Sequence, residues 1–310
     1  MNMNELRFFY KTNPKYQFHM RLIKSMTFKV TKKCRLEDDG ASKDFIFLVG
    51  CGRSGNTLLR RLMMQEMDIY IPPETYVLPE QIMHFYRNSG ESWDYKVKTT
   101  ISLLEYHKEF DTFNVLTLRD FVEEACRWPE KEQSLFNLIN KLYFWLSVND
   151  GVESRFVGDK TPLNTLSLGV IRKAFPRARY ICMKRDPIDV VSSYINSGLC
   201  GDVSRAAERW KASYCAWNNF KTDNPNLRFI EVDYEKLVSA PENTILEISG
   251  RIGVPLREKR VKDILDIMGD VCLRKHHASV YDAPNRKSIG KGKKFLTDRE
   301  IDIINSVINA

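Results

Sequence analysis

The sequence predicts an α/β fold in three layers: a central, mostly parallel sheet flanked by helices, with a phosphate loop after its first strand. Three observations point to it. Short apolar runs at Phe45–Val49, Arg179–Met183 and Leu227–Val232 read as strands. The first lacks polar alternation, as a strand buried on both faces does. Segments with apolar residues at helical spacing separate these runs, and strand–helix alternation implies right-handed crossovers and parallel pairing. The run Gly50-Cys51-Gly52-Arg53-Ser54-Gly55-Asn56-Thr57 follows the first strand directly, where phosphate-binding loops sit.

In chain order, the polar break Glu37-Asp38-Asp39-Gly40 precedes the first strand. A helix is expected from about Asn56 to Met67, where Leu58, Leu59, Leu62 and Met63 recur at helical spacing. Pro72 and Pro73 cannot continue it, so residues 71–75 form a loop that brings Glu74 back beside the sheet. Residues 91–150 read as helical, with an apolar stripe from Leu135 to Leu146 that suits a core-facing helix. Arg155–Gly158 reads as a short strand, after which Thr161 and Pro162 look like a helix cap and first turn. Asp186 is placed to cap a helix reaching about Ser197, and a further helix is expected over Pro241–Ile252. The glycines and cations of residues 286–294 suit a flexible, anion-seeking loop, and Thr297 with Glu300 makes a capping-box pattern for a terminal helix.

A chain of 310 residues with 43% apolar and 11% aromatic content is enough for one large core. The expected organisation is a basic N-terminal extension over 1–40 and a single domain over 41–310, with a helical insertion at about 91–150. Residues 1–35 carry nine Lys or Arg against Glu5 alone, which is the whole of the net charge of +8. The extension reads as a solvated, partly disordered leader, with weak contact to an anionic membrane surface as the alternative. No nucleic-acid partner is expected. No apolar stretch reaches the ~18 residues of a membrane span and no signal peptide is evident, so the expected location is cytoplasmic. Seven cysteines without a C-x-x-C pair indicate neither a disulfide framework nor a structural zinc site.

The loop's chemistry is narrowed by one residue. In the nucleoside-triphosphate version a lysine follows the last glycine and reaches the β and γ phosphates; Asn56 stands there instead. A single phosphate held by Arg53, Ser54, Thr57 and the helix N-terminus fits better. Arg53, Lys160, Arg185 and Tyr234 each follow a predicted strand, so they should converge at the carboxyl edge of the sheet, where such folds bind ligands. His84 and His107 read as packing or surface residues and the His276-His277 pair as surface.

Two separated motifs then resemble the sulfotransferases that use 3′-phosphoadenosine 5′-phosphosulfate. Gly50–Thr57 is similar to that family's 5′-phosphosulfate loop. Tyr180–Pro187, continuing to Ser193, is similar to its 3′-phosphate motif, with Arg185 and Ser193 at the family's spacing. Pro73–Pro79 and Asp159–Pro162 resemble segments of the tyrosylprotein-sulfotransferase branch and its bacterial relatives. The resemblance implies Glu74 as catalytic base, with Lys160 and Arg53 stabilising the transferring group. As donor contacts it implies Gly52, Arg53, Ser54, Gly55, Asn56, Thr57, Arg185, Ser193, Tyr234, Ser288 and Gly290. It further implies that 3′-phosphoadenosine 5′-phosphosulfate is the donor, 3′,5′-adenosine bisphosphate the product and a hydroxyl-bearing molecule the acceptor, with no metal. Tyr76 and Gly292 depart from the pattern, standing where the tyrosylprotein enzymes have Arg and where many relatives have Trp. The likeness therefore carries the donor further than the acceptor, which stays open among saccharide, lipid, small metabolite and tyrosine. Two other classes remain: an atypical P-loop kinase, which needs another lysine and a magnesium-binding aspartate, and a non-catalytic polyanion-binding protein.

Overall fold

The structure, a computed structural model, describes residues 45–259, 261, 264, 268, 271 and 283–310. The basic extension over 1–40 and the His276-His277 pair lie outside the described residues.

Strand β1 (Ile46–Gly50) is buried along its whole length, as its unbroken apolar run requires. Helix α1 (Asn56–Glu66) follows the phosphate loop and β2 (Ile69–Tyr70) is a two-residue edge strand. Four helices come next: α2 (Leu78–Arg87), α3 (Trp93–Glu105), α4 (Arg119–Cys126) and α5 (Leu135–Asn149). The apolar stripe of α5 packs into the main core, where Leu138, Ile139 and Leu142 are fully buried.

Strand β3 (Phe156–Lys160) leads into a 3-10 turn (Pro162–Ser167) and α6 (Leu168–Ala174). Thr161 does not cap this turn as the sequence suggests; its hydroxyl accepts the N–H of Thr75 instead. Strand β4 (Arg179–Lys184) precedes α7 (Pro187–Asn196), where the Asp186 side chain accepts from the N–H groups of Ile188 and Asp189, the predicted cap. The 21-residue α8 (Val203–Asp223) was not evident in the sequence pattern. Strand β5 (Arg228–Asp233), α9 (Tyr234–Ser239) and α10 (Pro241–Ile252) follow.

The glycine-rich segment read as a flexible loop is ordered as a 3-10 turn (Arg286–Ser288) and the short α11 (Lys291–Phe295). It leads to α12 (Asp298–Asn309), whose capping box from Thr297 and Glu300 is present.

The described residues form one sheet in the order β2-β3-β1-β4-β5, with every pair parallel. From β1 the chain moves to one side for β2 and β3, then crosses to the other for β4. The loops after β1 and β4 therefore part at a topological switch point, the crevice such sheets use for ligands. Lys160 pairs with Leu48, and Met183 with Gly50, so the ends of β3, β4 and β1 reach the same edge. A second cluster of buried residues joins Val190 and Val191 of α7, Ala206 and Ala207 of α8, Leu296 and Ile304 of α12, which ties the C-terminal segment to the helix after β4. Among the described residues no helix is long and apolar enough to cross a membrane.

Candidate functional site

The phosphate loop is closed from within. Asn56 Nδ2 donates to the carbonyl of Cys51 at 2.8 Å, so the residue that replaces lysine braces the loop. Gly50 is held at both backbone groups by the Thr165 hydroxyl, at 2.8 and 3.1 Å. Gly55, in the left-handed region at φ 94°, lies against Tyr234; an added Cβ would stand 2.5 Å from that ring. Arg53 is also left-handed, at φ 67°, an uncommon backbone for a residue with a side chain. Burial pushes the Cys51 thiol up to about 11.

Two groups of side chains flank this loop. In the first, Lys160 arrives from the end of β3, fully buried, with Nζ 2.6 Å from Glu74 Oε1 and 3.5 Å from Thr57 Oγ1. The Glu74 loop is fastened to β3 by the next residue: Thr75 Oγ1 donates to Asp159 Oδ2 at 2.9 Å, and Thr75 N–H to Thr161 Oγ1 at 3.1 Å. Tyr143 OH and Asn164 Nδ2 also donate to Asp159, each at 2.8 Å. Burial raises the Asp159 pKa above the usual carboxylate value, and the hydrogen bonds from Tyr143, Thr75, Thr161 and Asn164 pull against it. The phenol of Tyr143 is raised well above its ordinary value by burial and by that carboxylate.

In the second group, Arg53 Nε donates to Ser193 Oγ at 3.1 Å, and Arg185 Nη1 to the carbonyl of Arg53 at 3.1 Å. Arg185 also donates to the carbonyl of Ser288 at 2.9 Å and lies over the Tyr234 ring, 4.1 Å from its centroid. Burial lowers the Arg53 pKa from its ordinary value and neighbouring Arg185 acts the same way. Two partly desolvated guanidinium groups side by side are unfavourable alone and attract an anion. The sequence treated Arg53 and Arg185 with Ser193 as separate contacts; the structure joins them through the Arg53–Ser193 hydrogen bond.

These groups open onto one cleft of about 1100 Å³. Gly52, Arg53, Gly55, Asn56, Thr57 and Glu74 line it, as do Arg185, Ser193, Tyr234 and Ser288. Three residues named from the sequence do not line it. Lys160 lies behind Glu74 and Thr57. Ser54 is 1% exposed, and its hydroxyl has no hydrogen-bond partner among the described residues. Gly290 gives its N–H to Asp189 Oδ2 at 2.8 Å. The Nε of Arg185 is likewise buried without a partner among the described residues.

His107 packs, as the sequence suggests, but in a place the sequence does not reveal. It faces the cleft and stacks on Tyr76, with ring centroids 5.4 Å apart at 23°. Its Nδ1 accepts the Glu109 N–H at 3.3 Å, leaving the ring proton of the neutral form on Nε2. Burial and then Lys108 lower its pKa, against opposing contributions from Glu109 and Glu80. His84 bonds Thr99 Oγ1 at 2.9 Å and does not line the cleft, in keeping with a packing role. Nothing in the sequence links residues 76 and 107. From the sequence Asp159 and Asp189 take no site role, although each has one visible signal: adjacency to Lys160, and a one-turn spacing that makes Asp189 an ion-pair candidate for Arg185.

A lysine-free phosphate loop at the carboxyl edge of a parallel sheet, with paired guanidiniums and a carboxylate backed by a buried lysine along one cleft, is an arrangement that suits a multiply anionic ligand. The chain belongs to the sulfotransferase family, whose model matches residues 44–258. It is similar to protein-tyrosine sulfotransferase A of Caenorhabditis elegans, 23% identical over 230 residues that make up 72% of this chain and 53% of that protein. The chain spans about half the length of the curated relatives it matches. Among solved structures it is similar to the sulfotransferase domain of the Synechococcus PCC 7002 olefin synthase, with a TM-score of 0.58 and 19% identity over 90% of this chain and 98% of that one. A sulfotransferase domain from the curacin biosynthetic pathway follows, with a TM-score of 0.55 and 16% identity over 86% and 98%. At these identities the structural likeness is one of fold.

Proposed function

We propose that the protein transfers a sulfuryl group from 3′-phosphoadenosine 5′-phosphosulfate to an acceptor hydroxyl and releases 3′,5′-adenosine bisphosphate. The observation that carries this reading is Glu74, backed by the buried Lys160 at 2.6 Å and opening beside Thr57 onto the same cleft as the Arg53–Ser193–Arg185 group. The residues fit such a donor. The Ser54 hydroxyl and Arg185 Nε are buried without partners among the described residues, and the Arg185 guanidinium is held beside Arg53 by that residue's backbone carbonyl. Arg53, Ser54, Thr57 and the N-terminus of α1 would hold the 5′ end; Arg185, Ser193 and Ser288 the 3′-phosphate.

The donor supplies the sulfuryl group: a bond forms from the acceptor oxygen to sulfur and the sulfur–oxygen bond to phosphate breaks. Glu74 takes the acceptor proton. As it does so, Glu74 loses its charge, and the cation of Lys160, next to Thr57, would then stabilise negative charge growing on the leaving side. Residues 91–150 contribute His107, Lys108, Glu109 and Thr112 to the cleft, so we assign acceptor selection to that segment and to Tyr76.

The kinase reading is weaker. Asp159, the aspartate that directly precedes Lys160, has its oxygens engaged by Tyr143, Thr75 and Asn164. Calorimetric titration with 3′,5′-adenosine bisphosphate, compared with ATP plus Mg²⁺, separates the two. Micromolar bisphosphate binding that is lost in Arg185→Ala and unmatched by ATP supports sulfuryl transfer. Absence of bisphosphate binding to the folded protein overturns it.

A further inference from the structure

In the segment that delivers Ser288 and Lys291 to the cleft, one carboxylate accepts two backbone N–H groups. Asp189 is 3% exposed and sits in the first turn of α7, one turn after Arg185. Its Oδ2 accepts the Gly290 N–H at 2.8 Å and its Oδ1 the Gly292 N–H at 2.7 Å. Arg185 Nη2, 4.0 Å from Oδ2, balances its charge and donates onward to the Ser288 carbonyl. The fit leaves no slack: a Cβ on Gly292 would stand 2.6 Å from the Ile188 carbonyl oxygen and 2.9 Å from the Asp189 nitrogen, both backbone atoms that cannot swing aside. Leu296, just beyond, enters the cluster shared with Val190 and Val191.

We infer that Asp189 is a positioning residue that latches the 286–292 strap across Arg185 and thereby sets the affinity of the cleft for a phosphomonoester. This rests on the donor reading above. A carboxylate suits this place because its two oxygens accept two backbone donors at once. An asparagine presents one acceptor oxygen, and its NH₂ would face the other N–H donor to donor. The strap's cations, Lys291 among them, would then lose their fixed relation to Arg185.

The test uses Asp189→Asn and, by an independent route, Gly292→Ala, in the full chain. Hydrogen exchange of residues 286–296 is followed without nucleotide, and calorimetry compares 3′,5′-adenosine bisphosphate with adenosine 5′-monophosphate, which lacks the 3′-phosphate. In both variants strap exchange is expected to quicken at least about tenfold with exchange elsewhere unchanged. Bisphosphate affinity is expected to fall by about tenfold or more while monophosphate affinity stays within about twofold. Equal losses for both nucleotides would make Asp189 a structural residue only and overturn its link to the phosphomonoester. Unchanged strap exchange would overturn the latch itself. If the wild type binds neither nucleotide, the donor reading fails and takes the affinity claim with it, while the exchange comparison still decides the latch.

Discussion

Arg53 combines two unfavourable states, a left-handed backbone at φ 67° and a desolvated guanidinium beside Arg185. Left-handed backbone at a non-glycine residue costs on the order of 1–3 kcal/mol and persists where the surroundings impose it. Replacing Arg53 with Gly removes both costs and the anion contact together. Thermal unfolding is therefore expected to show a midpoint equal to or above wild type, while calorimetry shows bisphosphate binding weakened by about tenfold or more. A lower midpoint with full affinity would mean that Arg53 serves the fold. Glu74→Gln keeps the size of the side chain but cannot take a proton. Turnover should drop by about 10²–10⁴-fold with bisphosphate affinity nearly unchanged; a variant with wild-type turnover removes Glu74 from the mechanism. His107 bears on the acceptor. Burial lowers its pKa below the ordinary 6.5, so the ring beside Tyr76 is neutral at pH 7 and gains charge only as pH falls below that value. The acceptor KM should be flat above pH 6.5 and change on acidification, and this limb should vanish in His107→Gln while the donor KM keeps its own profile. An identical limb in the variant assigns it to another group.

At the scale of elements, the Glu74 loop and β3 act as one piece because Asp159 collects hydrogen bonds from Thr75, Tyr143 and Asn164. Asp159→Ala would leave those donors unpaired in the core, at a cost of about 3 kcal/mol or more, readable as a lower urea midpoint. A midpoint unchanged from wild type would show that the network is relaxed by local repacking. The elements carrying this pair were legible to unequal degrees. Strands β1 and β4 declare themselves because they are covered on both faces and need unbroken apolar runs, and Asp186 declares α7 through its cap. Strand β2 has two residues, too few for any period. Helix α8 hides for another reason: over 21 residues only Ala206, Ala207, Trp217 and Phe220 are buried, so its apolar face is thin. The 286–294 segment misleads because its glycines signal close backbone approach, not freedom: Gly292 lies against Ile188 and its N–H is bound by Asp189.

For the whole molecule, the cleft draws on residues from 52 to 291, and its walls meet only because the sheet order carries β1 between β3 and β4. Residues that open onto it from strand ends, Arg53 and Arg185 above all, could be found from the sequence, because the carboxyl edge of a parallel sheet is a known address. Residues that reach the Glu74–Tyr76 wall and its support from other elements could not; Tyr143 reaches Asp159 from α5, and His107 reaches Tyr76 from beyond α3. The same geometry makes a global prediction. A ligand bridging the phosphate loop, the start of α7 and the 286–292 strap binds only the folded chain, so its binding energy adds to the stability of all three. At a bisphosphate concentration about 100 times its dissociation constant the stabilisation is about 2.7 kcal/mol, which for a chain of this size corresponds to roughly 4 °C in the unfolding midpoint. ATP with Mg²⁺ at the same concentration should move the midpoint little. If the two nucleotides shift it equally, the cleft is reading a nucleotide with phosphates in general, and the kinase alternative recovers the ground that Asn56 took from it.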